Sequence, residues 1–114
     1  HSGRADGFNV VIHELAHTLD MRSSTANGAP PLHRGMSRAD WARDMQAAWD
    51  DLGERFERNE PLPLDPYALE APAEFFAVLS ESFFERPAVL SREWPAVYRH
   101  LADFYRQDPV KLLG

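Results

Sequence analysis

Two histidines, His13 and His17, stand four positions apart in "VVIHELAHTLD", residues 10–20, with Glu14 directly after the first. On an α-helix, positions four apart differ by about 40° around the axis and lie one turn apart, so both imidazoles point the same way. Two imidazoles so placed can bind one metal ion. Glu14, about 100° round from His13, lies beside that ion and can accept a proton from water that the ion activates. Five histidines and nine glutamates occur in the 114 residues. Chance placement would yield the pattern only about 0.02 times per chain, which argues against coincidence. The setting argues the same way. Phe8, Val11, Ile12, Leu15 and Leu19 recur at spacings of three and four, which predicts a buried helix over about 6–22. Three polar groups on such a helix would each cost a few kcal/mol if unpaired, and a bound cation satisfies all of them.

The H-E-x-x-H spacing is the one zinc peptidases use. Catalytic zinc takes three protein ligands and keeps one open position, so a third ligand is required. The metzincin continuation fails, because Ser23 stands where its third histidine belongs and Asp20 replaces its glycine. His33 lies in a proline-rich stretch with no regular element to hold it. Glu74, Glu81 and Glu85 share one helical face at spacings of seven and four, although such a face also reads as plainly solvated. For Glu74, an acidic residue just after Pro72 also suits the helix dipole without any metal. Asp20, three positions after His17, shares the histidines' face. It reads either as an acceptor for a ligand imidazole's free N–H or as a simple surface acid.

The elements that would position these groups are helical. Ser37 is a good N-cap, and Trp41, Met45, Ala48, Trp49, Leu52 and Phe56 follow as one amphipathic stripe. Ser23 to Met36, rich in glycine, proline and small polar residues, reads as a long loop overhanging the motif helix. "PLPLDP", residues 61–66, breaks the pattern. A third helix starts near Pro72 and runs through "AEFFAVLSESFFER", and a fourth spans roughly Trp94 to Gln107. The expected fold is therefore mainly α, about four helices, with no period-two strand. The aromatics of these helices fall at helical spacing without interleaved basic residues, so they read as core rather than as a stacking platform. His1, His33 and His100 read as surface histidines.

Composition narrows the function classes. A chain of this length with 44% hydrophobic residues fits one modest core, hence a single domain over 1–114. A formal charge of −6 argues against nucleic acid or an anionic membrane as a direct partner. Cysteine is absent, so a metal must use nitrogen and oxygen ligands, and a reducing, cytoplasmic compartment is compatible with the chain. No apolar run approaches the roughly 20 residues of a membrane span. The amino end has neither a signal-peptide pattern nor an initiator methionine, which suggests a soluble fragment of something longer.

Three segments, "GFNVVIHELAHTLD", "DPYALEAPAEFFAVLSESFF" and "FYRQDP", together resemble the Mlc titration factor A family of zinc-dependent peptidases, whose site is related to that of anthrax lethal factor. The resemblance covers nearly the whole chain in the same order. It implies a gluzincin, with His13, His17 and Glu74 of the P-A-E segment as zinc ligands and Glu14 as general base; Glu81 is the weaker candidate ligand. It also implies that Tyr67, in "DPYA", lies at the site, where its hydroxyl would donate to the oxyanion of a tetrahedral intermediate, rather than simply packing at a helix start. The expected reaction is hydrolysis of a peptide or protein substrate. Zincins bind substrate along a strand upstream of the motif helix, and that β-sheet is missing here, so the fragment is expected to turn over poorly. The resemblance also supports another class of function, a helical module that sequesters a regulatory protein partner with zinc structural or vestigial, because the family's namesake binds a transcriptional repressor. A metal-free four-helix domain is the third alternative.

Overall fold

Ser37 opens the first described helix as its sequence predicts, with its hydroxyl accepting the Asp40 amide at 3.1 Å. The computed structural model describes residues 30–113. The expected motif helix, with His13, Glu14, His17 and Asp20, and the first part of the following loop lie outside the described residues.

Helix α1 spans Arg38–Glu57. Asn59 takes a positive φ of 58° just past its end, and the Glu60 amide reaches back to the Arg55 carbonyl at 2.9 Å. This is a Schellman closure with asparagine in the left-handed position. Next come a 3-10 helix, Pro66–Glu70, then α2 (Pro72–Glu85), α3 (Pro87–Glu93), α4 (Pro95–Tyr105) and α5 (Pro109–Leu113). Each of these five elements begins with proline. At the first helical position, proline's missing N–H is one that the helix could not use, and its fixed φ already suits the helix. No strand occurs among the described residues, as the sequence predicts.

Helix α2 is the central rod. Phe75 through Ser80, with Ser82 and Phe83, are all buried, so the helix is covered around most of its circumference. Trp41 of α1 and Phe104 of α4 meet Phe76 edge-on or tilted, with centroids 6.1 and 6.2 Å apart. A polar contact crosses this core: Ser80, fully buried, shares a 2.7 Å hydrogen bond with the Tyr105 hydroxyl. The aromatics read as core at the sequence level are core here, Trp49, Phe84 and Tyr105 at its margin.

The structure differs from the sequence reading in places. Residues 87–93 form a separate short helix that periodicity over seven residues is too short to reveal. Trp94 leaves the expected fourth helix to become the extended residue before α4. Its indole N–H donates to Asp51 at 2.9 Å, and Arg55 bridges Asp51 and Glu93 at 3.1 and 2.9 Å, fastening α1 to the α3–α4 corner. Phe56, expected to close the buried stripe of α1, is 52% exposed because the Schellman turn ends the helix beyond the core's edge. In the described part of the preceding loop, Pro30 is buried, and Leu32 and Met36 pack on the core; whether the loop overhangs the motif helix lies outside the described residues. No described helix is long and apolar enough to cross a membrane.

Candidate metal centre

Of the expected ligands, Glu74 is the one that lies within the described residues. It sits half-buried in the first turn of α2. No side chain caps that turn, because Ala71 precedes it. The proline start and the buried run after it aim the turn back toward the preceding 3-10 helix, which packs closely along α2.

That 3-10 helix carries Tyr67. Asp65 caps it by accepting the Tyr67 amide at 2.9 Å, and Ala68, fully buried, anchors it to the core. Tyr67 is 49% exposed, so packing does not explain its place. Its phenol instead meets the Glu74 carboxylate. The charge of Glu74 pushes the Tyr67 pKa up, reinforced by partial loss of hydration, by the hydrogen bond the phenol donates to Glu74, and by the charge of Glu70. Tyr67 therefore stays protonated at neutral pH and remains a hydrogen-bond donor.

Glu81 lies two turns further along α2, about 10 Å from Glu74 along the axis. It lines a cleft against the 62–66 segment. The shared face of the two glutamates, legible in the spacing, thus opens onto two different surroundings.

His33 and His100 depart from their surface reading, while His1 lies outside the described residues. His33 is half-buried. Its Nε2–H donates to the Phe104 carbonyl at 2.6 Å and its ring stacks on Phe104 with centroids 5.4 Å apart. It is held firmly after all, and its Nε2 is committed to a carbonyl. His100 is half-buried as well, with Nε2 2.7 Å from Asp44 and its ring against Trp41. The Arg43 and His100 hydrogen bonds, in that order, hold Asp44 below the usual carboxylate range. Both partnerships join residues more than fifty positions apart, beyond what a periodic pattern can indicate.

Among the described residues, no group of three or more metal-ligating side chains gathers. The zinc site expected from the sequence draws its two imidazoles, His13 and His17, from outside the described residues. Two imidazoles and one carboxylate make a nitrogen–oxygen donor set typical of catalytic zinc, and Glu74 fits it, being half-buried and already oriented by a neighbouring donor.

A helical frame, an H-E-x-x-H segment and an oriented glutamate are the parts of a metallopeptidase. The comparison agrees at the level of family: residues 1–106 match the family described as Glucose-regulated metallo-peptidase M90, and the chain belongs to it. The chain is similar to proteins named Mlc titration factor A from Edwardsiella ictaluri, Yersinia enterocolitica and Yersinia pestis. Each is 46% identical over 110 residues, which is 94% of this chain and 42%, 41% and 40% of the respective relative. The chain thus spans about two fifths of the length of these relatives.

Proposed function

We propose that this chain forms the metal-binding helical part of a zinc peptidase, with His13, His17 and Glu74 as ligands, Glu14 as general base and Tyr67 as hydrogen-bond donor. The observation that carries the reading is the meeting of Tyr67 with Glu74. Two residues that the family resemblance assigns to one site, seven apart and on different elements, pair through their functional groups. Zinc bound by this set supplies Lewis acidity, which lowers the pKa of water and draws electron density from a carbonyl oxygen. Glu14 accepts the proton of the attacking water and returns it to the leaving amine. Tyr67, protonated at neutral pH, donates to the oxygen that gains charge. Its single O–H would turn from Glu74 to that oxygen as the charge develops.

The test separates ligands from base. His13→Ala and His17→Ala should each lose zinc by metal analysis, while Glu14→Gln should keep zinc and lose peptide hydrolysis in a chain long enough to include the upstream substrate-binding strand. A Glu14→Gln protein with unchanged turnover would sink the mechanism.

A second reading has its own support in the name of the relatives, Mlc titration factor A, which points to a regulatory protein as partner. On that reading the helical surface sequesters a protein and zinc is structural. Coordination separates the two: a structural site is closed by four protein ligands, whereas a catalytic one keeps a place for water.

A further inference from the structure

Tyr67 is half exposed, yet its phenol meets the Glu74 carboxylate. Packing fixes such a side chain only in part, so its direction depends on the backbone that carries it. That backbone is a five-residue 3-10 helix, Pro66–Glu70. An element this short makes few hydrogen bonds of its own and relies on its ends.

Asp65 supplies the near end. Its backbone is extended, with φ −60° and ψ 129°, as a following proline favours. Pro66 has no N–H, so the amides that open the turn are those of Tyr67 and Ala68. Both donate to Asp65, the Tyr67 amide to Oδ1 at 2.9 Å and the Ala68 amide to the carbonyl at 3.0 Å. The first of these bonds belongs to the side chain. On the far side of Tyr67, Ala68 is fully buried and pins the turn to the core. Tyr67 is thus held through its main chain from both directions while its ring stays accessible. Asp65 is itself exposed and fills no gap in the core, so its carboxylate acts on the turn and not on packing.

We propose that Asp65 is a positioning residue of this site, whose carboxylate, by holding the Tyr67 amide, keeps the phenol within reach of Glu74 and of the oxygen that gains charge in hydrolysis. The role in hydrolysis rests on the peptidase reading of Tyr67. It works through hydrogen-bond geometry, not charge. Asparagine offers the same acceptor at the same reach and should serve, whereas alanine offers none.

The experiment uses a chain long enough to include the upstream substrate-binding strand, as wild type, Asp65→Ala, Asp65→Asn, Tyr67→Phe and the Asp65→Ala, Tyr67→Phe double variant. In steady-state peptide assays with metal content measured in parallel, Asp65→Ala should keep its metal and lower kcat ~10-fold or more, with KM changed less than ~3-fold, as for a displaced group that acts in the transition state. Asp65→Asn should restore kcat to within about threefold of wild type. In the Tyr67→Phe background Asp65→Ala should cost nothing further, because a positioning residue acts through the group it positions. A residue serving stability alone would lower activity equally in both backgrounds.

A second arm needs no turnover. In the metal-free protein, isotope-labelled at tyrosine Cζ, the Tyr67 signal is assigned by its loss in Tyr67→Phe and should move on Glu74→Gln. Asp65→Ala should shrink that response to less than about half, as the coupling between phenol and carboxylate is lost, and Asp65→Asn should keep it. The same spectra report folding, and Asp65→Gly, the mildest loss of a cap acceptor, replaces Asp65→Ala if that variant does not fold. A wild type that hydrolyses no peptide would remove the peptidase reading and leave the second arm to decide whether Asp65 places the phenol. A full response to Glu74→Gln in Asp65→Ala, or equal kcat losses in both backgrounds, would overturn the proposal.

Discussion

Replacing Tyr105 by phenylalanine removes one oxygen and leaves the ring, so it isolates the polar contact that ties α4 to the central helix. In the intact protein that hydroxyl lies 2.7 Å from Ser80 Oγ, and Ser80 is fully buried. The ring itself stacks on Phe83 and meets Phe84 and Phe104 edge-on, contacts that phenylalanine keeps. What is lost is the partner of a buried hydroxyl, at a cost of about 1–2 kcal/mol. For a domain of this size that is a fall in Tm of about 4–10 °C. Ser80→Ala should cost less, about 0.5–1 kcal/mol, because the Tyr105 hydroxyl is nearer the surface and can turn to water. In the double variant neither oxygen is orphaned, so its loss should fall short of the summed single losses by about 0.5–1 kcal/mol. Urea unfolding of the four proteins, followed by circular dichroism, measures the cycle. Single losses that add within about 0.3 kcal/mol would refute the claim that these two groups stabilise each other.

Three further outcomes are expected. Glu74→Ala should weaken zinc binding by more than the ~10–100-fold typical of an outer-shell partner, while Glu81→Ala changes it only a few-fold, read by competition with a chromogenic chelator; equal losses would mean a shared site. Tyr67→Phe should keep full metal and lower kcat and kcat/KM alike by roughly 10²–10³, in steady-state peptide assays on a longer chain, if the phenol serves the oxyanion. In acid, the depressed pKa of Asp44 contributes stability that is present above its ordinary value of 3.8 and lost as pH falls below it. Burial raises the Tyr105 pKa, and its stability contribution is lost as pH climbs past the ordinary value of 10.0. Asp44→Asn should flatten the acid limb of a Tm-against-pH curve and leave the alkaline limb in place.

How much could be read in advance differed by element, for physical reasons. Helix α1 is 20 residues long with a serine cap, enough turns for the stripe from Trp41 to Leu52 to be unmistakable. Helix α2 was legible from Pro72 and its apolar run. The seven-residue α3 and five-residue α5 complete too few turns to show a period, yet their prolines stood in the sequence as starts that the helical pattern alone did not use. That Tyr67 and Glu74 belong to one site was implied by resemblance, but their contact was not legible, since it depends on how a 3-10 turn folds back on α2. The histidine partnerships were misjudged because burial of a lone histidine is decided by tertiary contacts. His33 owes its place to the Phe104 carbonyl, and His100 to Asp44.

Proline starts leave almost no slack chain from α2 onward. A single residue, Arg86, separates α2 from α3, and a single residue, Trp94, separates α3 from α4; three more, Arg106 to Asp108, lead into α5. A proteolytic enzyme must draw several residues into an extended form before it can cut, and connections this short cannot supply them without unwinding a helix. The stretch from Arg58 to Asp65 is longer, but prolines at 61 and 63 stiffen it and deny it amide donors. For a chain proposed to belong to a peptidase, such a frame is a form of self-protection. From α1 onward, the described scaffold presents little that resembles a substrate, to itself or to neighbouring copies.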